Sequence, residues 1–305
     1  IDAPQAEYAV RHPSAAARSA VRDELARAGF VAADAPVSGL FPPGTEPGAV
    51  HGVQPFWSTP GSGEDSHHAY PGGLAIHEYF NASIAVGFAQ TYDRLYFDRA
   101  TIDRDTVVAA ALYHDIMKTV VFQWHDDGTL FDELSVAGTG AHHILSGAEA
   151  IARGCTPRFV TTLLSAHAAP SLGDEAKVAA WCKAAAIVAG VDPVDVGLLA
   201  AGGTLAASPV PTEAFVSYLS DHDYVLSIHA AHVVGARLKV RYERIAVRLE
   251  RPVGFPWYRA AILAHATALA LYDRLARRGA DDFERELTRL ETVIAPDLAQ
   301  LVALP

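Results

Sequence analysis

From Gly73 to residue 301, apolar residues recur every three to four positions, which is the spacing of one face of an α-helix. Alternation of apolar and polar residues, the pattern of a half-buried strand, is scarce, and Thr119–Trp124 is the best short candidate. The sequence therefore predicts an all-α bundle. The predicted helices cover residues 14–29, 73–93, 103–118, 140–153, 156–168, 175–190, 212–249, 256–278 and 281–301.

Residues 31–73 break this pattern. They contain seven prolines and many glycines, which favour turns over helices. A long irregular stretch of this kind is typical of a segment that wraps the surface, and we expect it to contribute to the rim of a pocket. We divide the chain into an N-terminal helix with this segment (1–65), a helical domain (66–235) and C-terminal helices packed on that domain (236–305).

The bulk composition limits the classes of partner. The 305 residues carry a net charge of -11 and have a sequence pI near 5.6, so the surface repels the phosphates of nucleic acids. Half of the residues are apolar, yet no apolar run has the length that crosses a bilayer. We expect a cytoplasmic protein that acts on a small molecule. Export stays open because the chain begins at Ile1, and the oligomeric state stays open too.

The two cysteines, Cys155 and Cys182, lie in apolar sequence with helical spacing. Two isolated cysteines in such sequence are more often buried thiols than a disulfide or part of a metal site. We therefore expect two buried free thiols.

Histidine and aspartate occur where helical spacing turns a side chain toward the core. His77, for example, is followed by Phe80 and Ile84 on the same predicted face. A buried carboxylate needs a partner, and neutral imidazole with carboxylate suits first-row divalent ions. One inward histidine is usually a hydrogen-bonded core residue, but five helices in order offer such a residue, which favours a metal centre. These inward residues are His77, His114, Asp115, His143, His167 and Asp221.

The sequences around these residues are SHHAYPGGLAIHE, ALYHDIMK, HHILSGAE, LLSAHAAP and SYLSDHDYVLS. Over roughly residues 66–235 they resemble the HD-domain superfamily of metal-dependent phosphohydrolases. Met117 stands where the HDxGK sequence of that family usually has glycine, and residues 172–211 look like an insertion. The ligand order of the family is His, His-Asp, often two further His, then Asp, and it matches His77, His114, Asp115, His143, His167 and Asp221.

The resemblance implies an HD-type helical domain with two divalent ions bridged by Asp115. Fe or Mn are the metals that we expect, with Mg, Ni and Zn as alternatives. In the pattern of the family one ion has three further ligands and the other has two, namely His77, His114 and Asp221 for the first and His143 and His167 for the second.

Asp115, Lys118 and His68 are the residues that we expect to take part in catalysis. Lys118 lies one turn after the pair and either neutralises a substrate phosphate or serves as a cation at a helix C-terminus. His68 precedes a Gly-Gly turn, and it is a proton donor, a substrate contact or a simple loop histidine.

The resemblance implies hydrolysis of a small phosphate ester or nucleotide. The same six ligands support a two-iron oxygenase in a few members of the superfamily, which gives an alternative function. A sensor or binding module without activity is a third hypothesis. The sequence also leaves two ligand positions open, since His142 competes with His143, and Asp223 and Asp192 compete with Asp221.

Overall fold

The computed structural model describes residues 6–45, 54–64, 66–96, 102–171, 173–247 and 253–301, with side chains to residue 294 in the last range. Within these residues the chain is mainly helical, and its sheet is a single antiparallel pair of two-residue strands. The predicted all-α bundle is confirmed. None of the helices in these ranges is both long and apolar enough to cross a bilayer.

The helices are α1 Glu7–Val10, α2 Ala15–Arg27, α3 Gly73–Tyr96, α4 Arg104–Tyr113, α5 Lys118–Val121, α6 Ala141–Ala152, α7 Pro157–Leu164, α8 Glu175–Ala189, α9 Thr212–Ser220, α10 Tyr224–Ala246, α11 Phe255–His265 and α12 Ala268–Leu301. The strands are β1 Ser135–Val136 and β2 Thr139–Gly140. In the described part of the irregular segment, regular structure amounts to the short 3-10 turns Val37–Gly39 and Phe56–Ser58.

The elements differ from the sequence prediction at three breaks, one of which divides the helix predicted over 256–278 into α11 and α12 after His265. The helix predicted over 103–118 ends at Tyr113, and turns lead from there to α5. The best strand candidate, Thr119–Trp124, begins as a helix, because the N–H groups of Val120 and Val121 donate to the Met117 carbonyl and close a helical turn. Its last residue, Trp124, pairs with Leu130 in an isolated antiparallel bridge. The long helix predicted over 212–249 divides into α9 and α10.

One compact unit comprises Ile1–Gln54, Glu78–Val121 and Glu133–His222. Helix α6 lies at its centre, with its residues from Ala141 to Ile151 buried, and it packs against α7 and α8. Helix α4 packs against α7 and α9. These contacts bring the ends of α4, α7 and α9 to the face of α6.

The other compact unit comprises Pro55–His77, Phe122–Asp132 and Asp223–Pro305. Helices α10, α11 and α12 pack together around an apolar core. Gly279 has a φ of 80° and kinks α12, where the sequence predicted a gap between two helices. The division at residues 65 and 235 stays a prediction.

The two cysteines have different surroundings. Cys182 is buried within α8, whereas Cys155 follows α6 and is exposed. Both are free thiols, as expected, but the prediction that both are buried is wrong for Cys155. Gly154 ends the α6 turn with a φ of 76° and leads the chain to the surface there.

Candidate metal centre

Asp115 and its neighbour His114 lie in the turn between α4 and α5, and both are buried. Backbone contacts hold this turn in place. The Lys118 N–H donates to the Asp115 carbonyl at 2.9 Å, and the Met117 N–H donates to the Ser146 hydroxyl of α6 at 3.3 Å. The pair is therefore fixed against α6 instead of continuing along a helix.

Three histidines bring ring nitrogens to the Asp115 carboxylate. Nε2 of His114 lies 3.3 Å from Oδ2, while Nε2 of His142 and of His167 lie 3.1 Å and 3.6 Å from Oδ1. The rings come from the turn after α4, from α6 and from the turn after α7. The ammonium of Lys118 contacts Oδ2 as well. Asp115 is thus the point at which these elements meet.

Asp221 directly follows α9 and faces two of the same rings. Its Oδ1 lies 3.4 Å from His114 Nε2, and its Oδ2 lies 3.4 Å from His167 Nε2. Two side chains of α3 complete this side of the cluster. Asn81 donates to Asp221 Oδ1 at 3.2 Å, and a carboxylate oxygen of Glu78 lies 3.6 Å from His114 Nδ1.

The cluster attracts positive charge. Its three carboxylates, on Glu78, Asp115 and Asp221, are buried, and Lys118 supplies one positive charge against them. Buried carboxylates are costly without compensating cations. Burial opposes the charged ring of His114, yet the three carboxylates outweigh it and raise the pKa of that ring well above its ordinary value. A metal ion would supply the same positive charge.

The orientation of two rings suits metal binding. His114 Nδ1 donates to the Ala111 carbonyl at 2.8 Å, and His142 Nδ1 donates to Glu133 Oε1 at 2.5 Å. In a neutral ring these bonds leave the Nε2 lone pairs directed at the Asp115 carboxylate. Histidines that bind metals usually have their outer nitrogen held by a carbonyl or carboxylate in this way. The donor set therefore fits a divalent cation.

His143 has a different environment from His142. Its buried ring stacks on His167, with 4.2 Å between centroids, and meets Trp181 edge-on at 4.7 Å. Neither ring nitrogen has a hydrogen-bond partner within the ranges that the structure describes. Burial and the neighbouring His167 hold the pKa of His143 well below its ordinary value, so the ring is neutral. The structure thus brings His142 to Asp115, and both histidines keep a nitrogen suited to an ion.

The two aspartates that competed with Asp221 have other partners. Asp192 is exposed, and its Oδ1 accepts the N–H groups of Val194 and Asp195 at 2.7 and 3.3 Å. Asp223 belongs to the second unit, in which it accepts hydrogen bonds from histidines. Asp221 is therefore the one of the three that faces His114.

His68 and His77 donate to Asp223 in the second unit. His68 Nε2 lies 2.7 Å from Oδ2, and His77 Nδ1 lies 2.9 Å from Oδ1. The Tyr70 hydroxyl donates to His68 Nδ1 at 2.8 Å. Burial opposes ionisation of Asp223, but the two histidine hydrogen bonds outweigh it and hold the pKa of Asp223 well below its ordinary value. His68 thus lies in a chain of hydrogen bonds that can hold a proton.

The Gly-Gly turn places His68. A Cβ at Gly73 would lie 1.9 Å from the His68 carbonyl oxygen, so glycine is required there. Gly72 has a φ of 84°, and the Gly61 N–H donates to the His68 carbonyl at 2.8 Å. His68 itself has a φ of 51°, a left-handed conformation that is uncommon outside glycine. The glycines of the YPGG sequence therefore allow the backbone at Gly73 to approach the backbone at His68 closely.

Sequence reasoning missed Glu78, Asn81 and Glu133. Asn81 lies one turn after His77 on α3, so helical spacing was a signal for it, whereas Glu78 directly follows His77 and helical spacing places it on a different face. Glu133 lies outside regular structure, nine positions before His142, and no periodicity marks it. Its role depends on a tertiary contact.

A family model described as the HD domain matches residues 75–278. The chain is also 32% identical over 126 residues to a dihydroneopterin 2',3'-cyclic phosphate phosphodiesterase of Methanocaldococcus jannaschii. That alignment covers 41% of this chain and 49% of the relative, so the chain spans about half the length of the curated relative that it matches. No solved structure matches. Since the family match extends over more than half of the chain, the protein belongs to the HD domain family.

Proposed function

We propose that this protein is a metal-dependent hydrolase of small phosphate esters. The observation that carries the proposal is the environment of Asp115, whose buried carboxylate lies within 3.1 to 3.6 Å of three imidazole nitrogens. With two more buried carboxylates nearby, this cluster needs cations, and its donors are those that first-row divalent ions prefer. The HD domain match supports the same chemistry.

We propose two ions, Fe or Mn, which Asp115 and the side chains around it would hold. His114, Asp115 and His167 each offer a ligand atom within 4.8 Å of the others, which supports a shared site. The ring of His142, anchored by Glu133, is proposed beside His143 as the source of a further nitrogen. The remaining proposed ligands are His77, one helical turn before Asn81, and Asp221, which accepts from Asn81.

Paired divalent ions acidify a bound water and neutralise the charge of a phosphate. Around them the chain supplies fixed charges. Burial opposes the ammonium of Lys118, but Asp115 outweighs it and raises the pKa of Lys118, so the group stays positive and holds the Asp115 carboxylate in place. His68 is proposed as the proton donor, because a ring with protons on both nitrogens would be held by Asp223 at Nε2 and by the Tyr70 hydroxyl, then an acceptor, at Nδ1.

A phosphodiester is the first substrate class to test. The relative from Methanocaldococcus jannaschii is named for a 2',3'-cyclic phosphate, which is a strained small phosphodiester. The net charge of -11 also disfavours long nucleic acids as substrates. We therefore propose small phosphate esters as the substrate class and no particular compound within it.

The test is hydrolysis of bis(p-nitrophenyl) phosphate after the protein is stripped with a chelator and reloaded with Mn²⁺. We expect the rate to follow added metal in the wild type. We expect the hydrolysis rate of His114→Ala and of Asp115→Asn to fall on the order of 100-fold or more. Even the loss of a residue that only hydrogen-bonds to a metal ligand lowers metal affinity or activity about 10–100-fold. Asp192→Asn removes an exposed carboxylate that lies in a separate turn and is the matched control.

Two results would contradict the proposal. One is a metal-loaded protein that leaves phosphodiesters and phosphomonoesters intact. The other is a protein isolated with two irons and a mixed-valence electron paramagnetic resonance signal, which the oxygenase hypothesis requires.

A further inference from the structure

A concave site lies within the unit formed by Pro55–His77, Phe122–Asp132 and Asp223–Pro305. It is a cavity of about 470 Å³, a size typical of sites for small organic molecules. The loop before α3 and the helices α10 and α11 supply its walls. None of the proposed metal ligands lines it.

The charged groups of the lining favour an anion. Arg259 of α11 lines the cavity with a side chain that is 9% exposed, and its Nη2 lies 3.3 Å from Glu64 Oε1. Lys239 of α10 adds a second positive charge, and no ion pair to it occurs among the residues described. Among the lining residues that the structure describes, Glu64 is the single carboxylate. A guanidinium matches the geometry of phosphate and carboxylate groups, and its fixed position here reduces the entropy lost on binding.

Part of the remaining lining suits an apolar body, beside the polar side chains of Ser66 and His232. Phe255 and Leu263 present apolar side chains, and Gly235 exposes the backbone of α10. A Cβ at Gly235 would meet no heavy atom within 4 Å, so open space adjoins the helix there. A planar or alkyl group fits against these residues, and on binding it would be transferred from water to an apolar surface.

We propose that this cavity binds a small organic anion, with a phosphate or carboxylate group at Arg259 and Lys239 and an apolar body against Phe255. The occupant would also meet Tyr70, which lines the cavity and whose hydroxyl donates to His68 at 2.8 Å. The proposal concerns binding alone and does not depend on the hydrolase activity.

The test is isothermal titration of the protein as isolated with phenylphosphonate, benzoate and benzyl alcohol. Phenylphosphonate and benzoate separate phosphate-type from carboxylate-type ligands, and benzyl alcohol has a similar body without charge. We expect at least one anion to bind and benzyl alcohol to bind about 10-fold more weakly or not at all. Benzyl alcohol that binds as tightly as both anions would overturn the proposal, as would the absence of binding by both anions.

Variants locate the binding. Gly235→Phe fills the cavity from a helical position and is expected to abolish binding, and Arg259→Met is expected to weaken it about 10-fold. Val240→Phe adds the same ring to α10 at a residue outside the lining that is 56% exposed, and binding should persist. Thermal unfolding will report whether each variant folds. If Arg259→Met fails to fold, Gly235→Phe still tests whether the probe binds in this cavity. Binding that survives Gly235→Phe would overturn the proposal.

Asp115→Asn separates this cavity from the metal centre. We expect it to keep the binding of phenylphosphonate, and loss of binding in this variant would overturn the proposal, because the probe would then occupy the metal centre. Protein that binds the probe in this cavity but fails to hydrolyse phosphodiesters would support the cavity and contradict the proposed function alone.

Discussion

Glu133 and His142 form a contact at the edge of the cluster that affects how tightly it can hold a cation. Glu133 Oε1 accepts from Nδ1 of the ring at 2.5 Å and from the backbone N–H of His142 at 2.9 Å. Burial opposes ionisation of Glu133, but the His142 charge and hydrogen bonds outweigh it and lower its pKa. An ionised carboxylate in this place fixes the ring and makes its inner nitrogen a stronger donor to a metal ion.

We predict that Glu133→Gln weakens metal affinity about 10–100-fold, because the ring of His142 loses its charged anchor. Competition with a chromogenic chelator measures this affinity. Asp132→Asn, a change of the exposed neighbouring carboxylate, should leave it unchanged. Equal affinity in Glu133→Gln and the wild type would mean that His142 does not bind the metal.

The two cysteines should differ in reactivity. Burial raises the pKa of both thiols, that of Cys182 to about 12, but Cys155 is exposed to reagent and Cys182 is buried. Since the thiolate is the reactive form, we predict that 5,5'-dithiobis(2-nitrobenzoic acid) at pH 8 labels one thiol quickly and the second after denaturation. Cys155→Ser should abolish the fast phase. A fast phase that persists in Cys155→Ser would show that Cys182 is accessible.

Single residues differ in how far the sequence could predict them. The inward direction of His114 and Asp115 followed from helical spacing, because the apolar face before them continues to the end of the helix. Asp221 was placed inward from the spacing of Val225 and Ile228 in one long helix, and that reason was wrong, because the helix breaks after Ser220 and Val225 is 63% exposed. Glu133 has no such neighbours in regular structure. Periodicity could not decide between His142 and His143 as the ligand either. Both lie in α6, where the whole run from Ala141 to Ile151 is buried.

At the scale of helices, α6 is the element against which the site is built, and Gly147 allows its close packing. A Cβ at this glycine would lie 2.8 Å from the Leu164 side chain of α7 and 3.1 Å from the Ala185 side chain of α8. In the sequence, the resemblance to the family's HxxxGAE pattern makes Gly147, four residues after His143, favour His143 over His142 as the ligand. The structure shows instead that it lets three helices approach each other.

We predict that Gly147→Val lowers the free energy of unfolding by about 1–3 kcal/mol, the usual cost of overpacking. Chemical denaturation measures it. Gly87→Val is the matched control, because this glycine lies in α3 with no heavy atom within 4 Å of a Cβ. The free energy of unfolding of this control should differ from that of the wild type by less than about 0.5 kcal/mol. Equal stability of both variants would show that α6 has room at Gly147.

The helices were predictable where periodicity was long and uninterrupted. The extent of α3, α6 and α8 agrees with the prediction to within a few residues. The breaks after Tyr113 and Ser220 were not predictable, because tertiary contacts of the residues that follow them end the helices. The first part of the short strand predicted at Thr119–Trp124 failed for a related reason, since β-branched residues are enriched in strands but here close a helical turn.

At the scale of the whole molecule, the chain combines an acidic surface with an acidic interior cluster. The net charge is -11, and Glu78, Asp115 and Asp221 place three of the carboxylates out of water. Such an arrangement is unfavourable for the folded state unless cations join it. Metal binding is therefore the central claim about this protein, and hydrolysis follows from it as the proposed use.

Elemental analysis by inductively coupled plasma mass spectrometry tests this claim most directly, on protein purified without chelator and dialysed against Mn²⁺. We predict about two transition-metal ions per chain in the wild type, as a paired-ion centre requires. Asp115→Asn should lose them, and Asp192→Asn should retain them. Wild-type protein that holds no metal, or Asp115→Asn protein that holds as much as the wild type, would contradict the account.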